Sequence, residues 1–229
     1  MGNYQAIDIL EMNRLSFIIA KGGITNTSLL SRMPNQKEGQ GRIMTLVIGI
    51  TGASGVIYGI RLLEVLSETK GIETHLVISE AGETTIKQET NWKIDDVKAL
   101  ADFSYDINDI GARLASGSFK RDGMIVIPCT IKTMSALANS YAENLLIRAG
   151  DVTLKERNKL VLVVRETPLH LGHIRNMERL TEIGAILFPP MPAFYHKPKT
   201  IRNIVDHTVG KILDIFGIEL HLFQRWTRL

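Results

Sequence analysis

The chain is predicted to fold as an α/β protein, a three-layer domain built on a parallel sheet of Rossmann-like or flavodoxin-like type. Three observations predict it. Apolar runs of strand length recur along the chain, segments with helical apolar spacing separate them, and the first run ends in a glycine-rich turn. Strands that alternate with helices form parallel pairs joined by right-handed crossovers, which places helices on both faces of one sheet. Runs that are apolar at successive rather than alternate positions fit strands covered on both faces.

The elements follow in order. Leu46–Ile50 is the first strand, and Thr51-Gly-Ala-Ser-Gly55 turns it into a helix in which Ile60, Leu63 and Leu66 recur at helical spacing. Thr74–Ile78 is the second strand and Ala81–Glu89 a helix. Met124–Ile127, Leu160–Val164 and Ala185–Phe188 bring the expected strands to five. Helices are expected at Thr133–Tyr141, Ala142–Leu154, Ile174–Ile183 and Ile201–Phe216. Residues 1–43 read differently. Thr25-Asn-Thr-Ser28 and Asn35-Gln-Lys-Glu-Gly-Gln-Gly41 are polar and aperiodic, so a poorly ordered extension is expected ahead of a single domain at 44–229. Met44 stands where a shorter chain would begin.

Composition narrows the functional classes. At 229 residues, 45% apolar and 22% charged, the chain can bury a full core. A formal net charge of +3, with Lys and Arg scattered among acids, argues against a nucleic-acid surface. Cys129 is the one cysteine, so no internal disulfide forms, which suits a reducing compartment. No apolar run approaches the roughly 18 residues of a membrane span. Leu15–Ala20 lacks the length and cleavage site of a secretory signal, and Asp8 and Glu11 argue against a mitochondrial leader. A cytoplasmic protein with neither membrane nor nucleic-acid partner is expected.

Ligands of such folds collect beyond the carboxyl ends of the strands. In Thr51-Gly-Ala-Ser-Gly55 the glycines permit a tight turn, and the amides of the following helix start can face an anion. The spacing is not G-x-G-x-x-G, which favours a mononucleotide phosphate over a dinucleotide; a turn that only packs helix on strand is the alternative. Thr130, Lys132 and Thr133 follow the third expected strand, where a threonine also suits a helix cap. Arg165 and Glu166 end the fourth, as a site or as a surface ion pair. Pro189-Pro-Met-Pro-Ala-Phe-Tyr195 is a stiff loop whose aromatic end can wall a flat ligand or merely connect. Cys129 reads as packing rather than as a nucleophile, and His170 with His173 as structural rather than metal-binding, since no third ligand is near. Leu220, Leu222 and Phe223 suit either a subunit interface or packing on their own domain.

Taken in series, Thr51-Gly-Ala-Ser-Gly55, Ala115-Ser-Gly-Ser-Phe119, Pro128-Cys-Thr-Ile-Lys-Thr133, Arg148-Ala-Gly-Asp-Val-Thr-Leu-Lys-Glu-Arg157, Arg165-Glu-Thr-Pro168 and Pro192-Ala-Phe-Tyr195 resemble the flavin prenyltransferases, once described as aromatic-acid decarboxylases. The resemblance spans about Thr45 to Trp226. It implies an enzyme that joins the dimethylallyl group of dimethylallyl phosphate to N5 and C6 of reduced FMN, without metal, and hands prenylated FMN to a separate decarboxylase. It implies that Gly52, Ala53, Ser54, Ser79, Thr130, Ile131, Lys132, Thr133 and Arg165 bind FMN. Tyr195 and Lys211 match positions that hold the allylic phosphate, along with Arg148 and Lys155. Glu89 and Glu166 match carboxylates at the reaction centre, and Glu166 is the candidate proton relay. It also implies a homo-oligomer, commonly a dodecamer, with active sites at subunit contacts.

The Asp-rich D-D-x-x-D motif that holds magnesium and diphosphate in most prenyltransferases is missing: Asp95-Asp96 is followed by Val97-Lys-Ala99. Two positions depart from the family pattern. Thr130 stands for a usual serine and keeps the hydroxyl, and Gly150 stands for a usual alanine, which is expected to loosen the helix carrying Arg148 and Lys155. The alternative reading is a non-prenylating FMN flavoprotein of the same fold. A cysteine-type decarboxylase would need a catalytic histidine early in the domain, for which His75 is the candidate; a non-catalytic FMN-binding subunit would not need Lys155, Glu166, Tyr195 and Lys211.

Overall fold

The computed structural model describes residues 42–226. The expected disorder of residues 1–43 therefore lies almost wholly outside the described residues.

Continuous apolar runs become strands because both of their faces are covered. β1 (Met44–Ile50) is buried from Leu46 onward, with successive side chains on opposite faces. Leu46, Ile48 and Ile50 pack with Ile60 and Leu63 of α1 (Val56–Ser67) and with Val209 and Ile212 of α7 (Ile201–Ile215). On the other face Val47 joins Met134 of α4 (Ile131–Ala138), Leu146 of α5 (Leu145–Lys155) and Leu180 of α6 (Leu171–Glu182). This is the expected three-layer arrangement. Each fully buried Leu or Ile contributes on the order of 2 kcal/mol.

β2 (Ile72–Ile78), β3 (Phe103–Tyr105), β4 (Gly123–Cys129), β5 (Lys159–Val164) and β6 (Ile186–Leu187) complete a sheet of order β3-β2-β1-β4-β5-β6 in which every pairing is parallel. Six strands stand where five are expected. The additional one, β3, has three residues, none of them buried, too few to carry a periodic signal. Between β2 and β3 lie α2 (Glu80–Glu89) and a short unpredicted helix, α3 (Ile94–Lys98).

Caps set the helix starts, and they move two boundaries. The Thr130 side chain accepts from Thr133 N, so α4 begins at Ile131 rather than Thr133. The Asn144 side chain accepts from Ile147 N, so α5 begins at Leu145 rather than Ala142. Gly150 is buried in α5, where an added Cβ would lie 2.7 Å from the end of the Leu137 side chain of α4. Leu220 and Leu222 pack on the chain's own core, and Phe223 covers Gly210 of α7. Among the described residues no helix is long and apolar enough to cross a membrane.

The sheet reverses its winding between β1 and β4, and the crevice above that reversal is where such folds hold ligands.

Candidate functional site

Thr51 ties the two strand ends at the reversal together. Its hydroxyl donates to Pro128 O at 2.8 Å and accepts from Thr130 N at 2.9 Å. Gly52 follows because α2 begins directly against it: a Cβ there would lie 2.5 Å from Ala81 Cβ. Gly55, at φ 99°, occupies the left-handed region and starts α1.

The amides at that start do meet an anion, as the sequence suggests, but the anion belongs to the chain. Glu89 Oε2 accepts from Gly55 N at 2.8 Å and from Val56 N at 3.4 Å. A carboxylate suits the positive end of a helix, and in the single chain it takes up the Gly55 and Val56 amides at the start of α1.

Open helix starts gather elsewhere. α2, α4 and α5 all begin on one cavity of about 470 Å³, and their cap residues Ser79, Thr130 and Asn144 line it. Each cap takes up one orphan amide. Ser79 Oγ accepts from Gly82 N at 3.0 Å, Thr130 Oγ1 from Thr133 N at 3.2 Å and Asn144 Oδ1 from Ile147 N at 3.0 Å. The remaining amides of each first turn and the three helix dipoles offer donors to an anion, although the carboxylates of Glu80 and Glu143 line the same cavity. Lys132 adds a cation, held 3.0 Å from Glu143. The volume falls in the range of small-molecule sites, and the donor set fits an anionic ligand with a phosphate.

Gly52, Ser79, Thr130, Lys132 and Thr133 therefore come together on one cavity. Ala53 and Ser54 lie on the turn beside Gly52, with Ser54 exposed. Ile131 opens α4 and packs against the second core face. Arg165 is exposed past β5, its amide donating to Cys129 O at 3.2 Å. Thr51, Asn108, Glu143 and Asn144 line the cavity without having been singled out for the site. Asn144 was legible as a cap ahead of Leu145-Leu-Ile; Asn108 carries no such local signal, because the cavity forms between segments far apart in sequence.

The expected reaction residues fall into separate groups. Arg148 and Lys155, two turns apart on α5, face the Ala115–Phe119 segment. Arg148 Nε donates to Ala115 O at 3.2 Å and Nη1 to Asp151 at 2.7 Å, while Lys155 pairs with Glu156. Glu166 is exposed, one carboxylate oxygen accepting from Thr167 N at 3.0 Å. Tyr195 meets His207 of α7, one turn before Lys211, with Tyr195 Oη 3.1 Å from His207 Nε2. Lys211 itself lies 3.7 Å from Asp214. None of these five lines the cavity within one chain.

Two other candidates are occupied by structure. His75 is fully buried; its Nδ1 lies 3.0 Å from the Tyr105 hydroxyl and its Nε2 2.8 Å from Glu73, and burial lowers its pKa. Both ring nitrogens are taken, which leaves no catalytic histidine for cysteine decarboxylation at this position. His170 caps α6 by accepting from Gly172 N through Nδ1 at 3.0 Å. Burial pushes the Cys129 thiol far above its ordinary pKa. The native protein should therefore resist a thiol reagent at neutral pH and react once unfolded in guanidinium. Rapid labelling of the folded chain would contradict this placement.

The Flavoprotein family model matches residues 34–216 of this chain. Flavin prenyltransferase UbiX of Thauera aromatica is 58% identical over 184 residues, covering 80% of this chain and 94% of that protein. AnUbiX (PadA1), crystallised in complex with FMN and dimethylallyl pyrophosphate, superposes with a TM-score of 0.80 at 46% identity, over 82% of this chain and all of that one. The dodecameric FMN-dependent UbiX-like decarboxylase from Escherichia coli O157:H7 also has a TM-score of 0.80, at 49% identity over 81% of this chain and all of that one. Peptidyl-cysteine decarboxylase EpiD, at 18% identity and a TM-score of 0.52, is similar in fold alone.

Proposed function

The chain belongs to the flavin prenyltransferase family, and from that premise we propose that it joins the dimethylallyl group of dimethylallyl phosphate to N5 and C6 of reduced FMN, releasing phosphate and prenylated FMN. The observation that carries the reading is the cavity at the sheet reversal, where α2, α4 and α5 all begin and Lys132 stands. Bound there, reduced FMN supplies a nucleophilic nitrogen at N5 and a neighbouring ring carbon at C6. The open amides of the three helix starts, the hydroxyls of Ser79 and Thr130 and the ammonium of Lys132 hold its phosphate end, and Arg165 with Ala53 and Ser54 border the ring.

The chain's part in the reaction is electrostatic. Breaking the allylic C–O bond moves negative charge onto phosphate, so Arg148, Lys155, Lys211 and the Tyr195 hydroxyl stabilise the transition state by surrounding that group. These cations carry the role that magnesium has in diphosphate-dependent prenyltransferases. Closing the ring at C6 releases a proton, and Glu166 accepts it. Glu89 accepts from the Gly55 and Val56 amides next to the Ser54 turn.

An allylic cation needs protection from water. In one chain Ser54, Arg165 and Glu166 are exposed, and Arg148 and Lys155 sit away from the cavity. We therefore place the active site at a contact between copies, where a second chain covers the rim and brings its Arg148 and Lys155 to the phosphate. A similar protein of Escherichia coli O157:H7 is dodecameric. The product serves a separate decarboxylase, and cytoplasm is the compartment in which this chemistry is placed.

Incubation with reduced FMN and dimethylallyl phosphate, free of added metal, should raise the flavin mass by one five-carbon unit, with the diphosphate turned over more slowly. An unchanged flavin mass would refute the reading. Turnover only with diphosphate and magnesium would refute the monophosphate, metal-independent form of it.

A further inference from the structure

We propose that His207 is a positioning residue: its Nε2–H donates to the Tyr195 oxygen and so leaves the one Tyr195 hydroxyl proton for the allylic phosphate. The inference rests on the reading that Tyr195 and Lys211 hold that phosphate.

The geometry leads there. Tyr195 Oη and His207 Nε2 are 3.1 Å apart, within hydrogen-bond distance. A phenol has a single proton to give. If Nε2 accepts that proton, the hydroxyl can only present lone pairs to an anion, which repels. If Nε2 donates instead, the hydroxyl donates outward and becomes a phosphate ligand. The direction of one hydrogen bond thus decides whether Tyr195 attracts or repels the substrate.

The imidazole is held for this purpose. His207 is 8% exposed on α7. Its ring stacks on His196 at 4.9 Å and 4°, meets Phe223 edge-on at 4.7 Å and lies 5.6 Å from the Tyr195 ring. No described residue hydrogen-bonds to its Nδ1, so the protein does not impose the tautomer and the occupant facing Tyr195 does. The titratable neighbours are Tyr195 and His196 from the loop after β6 and Lys211 one turn on; from the tail, Arg225 is paired to Asp214. Burial, then His196 and Lys211, lowers the pKa of His207, which keeps it neutral when nothing is bound at neutral pH. A phosphate dianion against Lys211 and Tyr195 acts in the opposite direction, and both the Nε2–H tautomer and the imidazolium donate to Tyr195.

Three variants in the assembled enzyme test this. Phe at 207 keeps a flat apolar ring but has no donor, Gln retains an amide donor, and Tyr195→Phe removes the hydroxyl. His207→Phe removes the donor that fixes the direction of the hydroxyl but leaves its proton free, so KM for dimethylallyl phosphate and the inhibition constant of inorganic phosphate should rise only about threefold, the size of one neutral hydrogen bond, against about tenfold in Tyr195→Phe. FMN affinity should not change. His207→Gln should recover most of that loss, and His207→Phe should add little on top of Tyr195→Phe. If Tyr195→Phe weakens phosphate about tenfold while His207→Phe has no effect at all, the inference is overturned and the site reading stands. If Tyr195→Phe itself has no effect, the site reading fails. Should the Phe variant not fold, nitrogen NMR of His207 in the native protein saturated with inorganic phosphate decides: a proton on Nε2 is expected, and an Nδ1–H tautomer overturns the proposal.

Discussion

Glu166→Gln is expected to bind reduced FMN as tightly as the wild type yet to slow prenylation in a single turnover by about 10²–10³-fold, within the range of a lost general base. The side chain makes one local contact, from Thr167 N, and is otherwise exposed, so the amide substitutes for it at little cost to folding. What the amide cannot do is take up the C6 proton. Rapid mixing of the preformed flavin complex with dimethylallyl phosphate, followed by quenching and mass analysis, reads the step directly. A Gln variant with the wild-type single-turnover rate would move the proton to another acceptor, the phosphate being the nearest by chemistry. A variant that loses FMN would instead place Glu166 in flavin binding.

Gly52→Val is expected to have the largest effect on flavin affinity. Even a single added Cβ at this position would lie 2.5 Å from Ala81 Cβ and 3.0 Å from the Ala81 backbone carbonyl. The obstacle is the first turn of α2, whose cap Ser79 lines the cavity, so relief of the clash displaces one of the three helix starts that face the cavity. Overpacking of this kind costs about 1–3 kcal/mol. For a domain of this size that lowers Tm by roughly 3–10 °C. FMN should be retained at least tenfold less tightly, measured by fluorescence titration under reducing and oxidising conditions. Val at 52 with unchanged FMN affinity would show that α2 does not contribute to the cradle.

Much of this was legible locally. The strand runs, the turn at 51–55 and the threonines at 130 and 133 are each set by residues within a few positions of one another, and physical rules of burial and capping act at that range. β3 was not legible, because Phe103–Tyr105 is ordered by pairing with His75, Leu76 and Val77, nearly thirty positions away. The capture of Gly55 N by Glu89 escaped for a related reason: a helix start advertises its need for an anion in sequence, but not which anion reaches it.

By itself, the sequence determined the α/β class, the positions of the buried strands and, through six ordered motifs, the chemistry to which the chain is committed. The class and the strands follow from which residues are apolar, how they are spaced and where glycine or a cap interrupts them; the chemistry follows from the family resemblance that the motifs carry. Only the tertiary structure decided which helix starts remain open to a ligand, which are closed by the chain's own carboxylate, and that Tyr195 is paired with His207 rather than standing alone. These depend on the through-space meeting of side chains from different elements, and a linear pattern does not encode a distance between them.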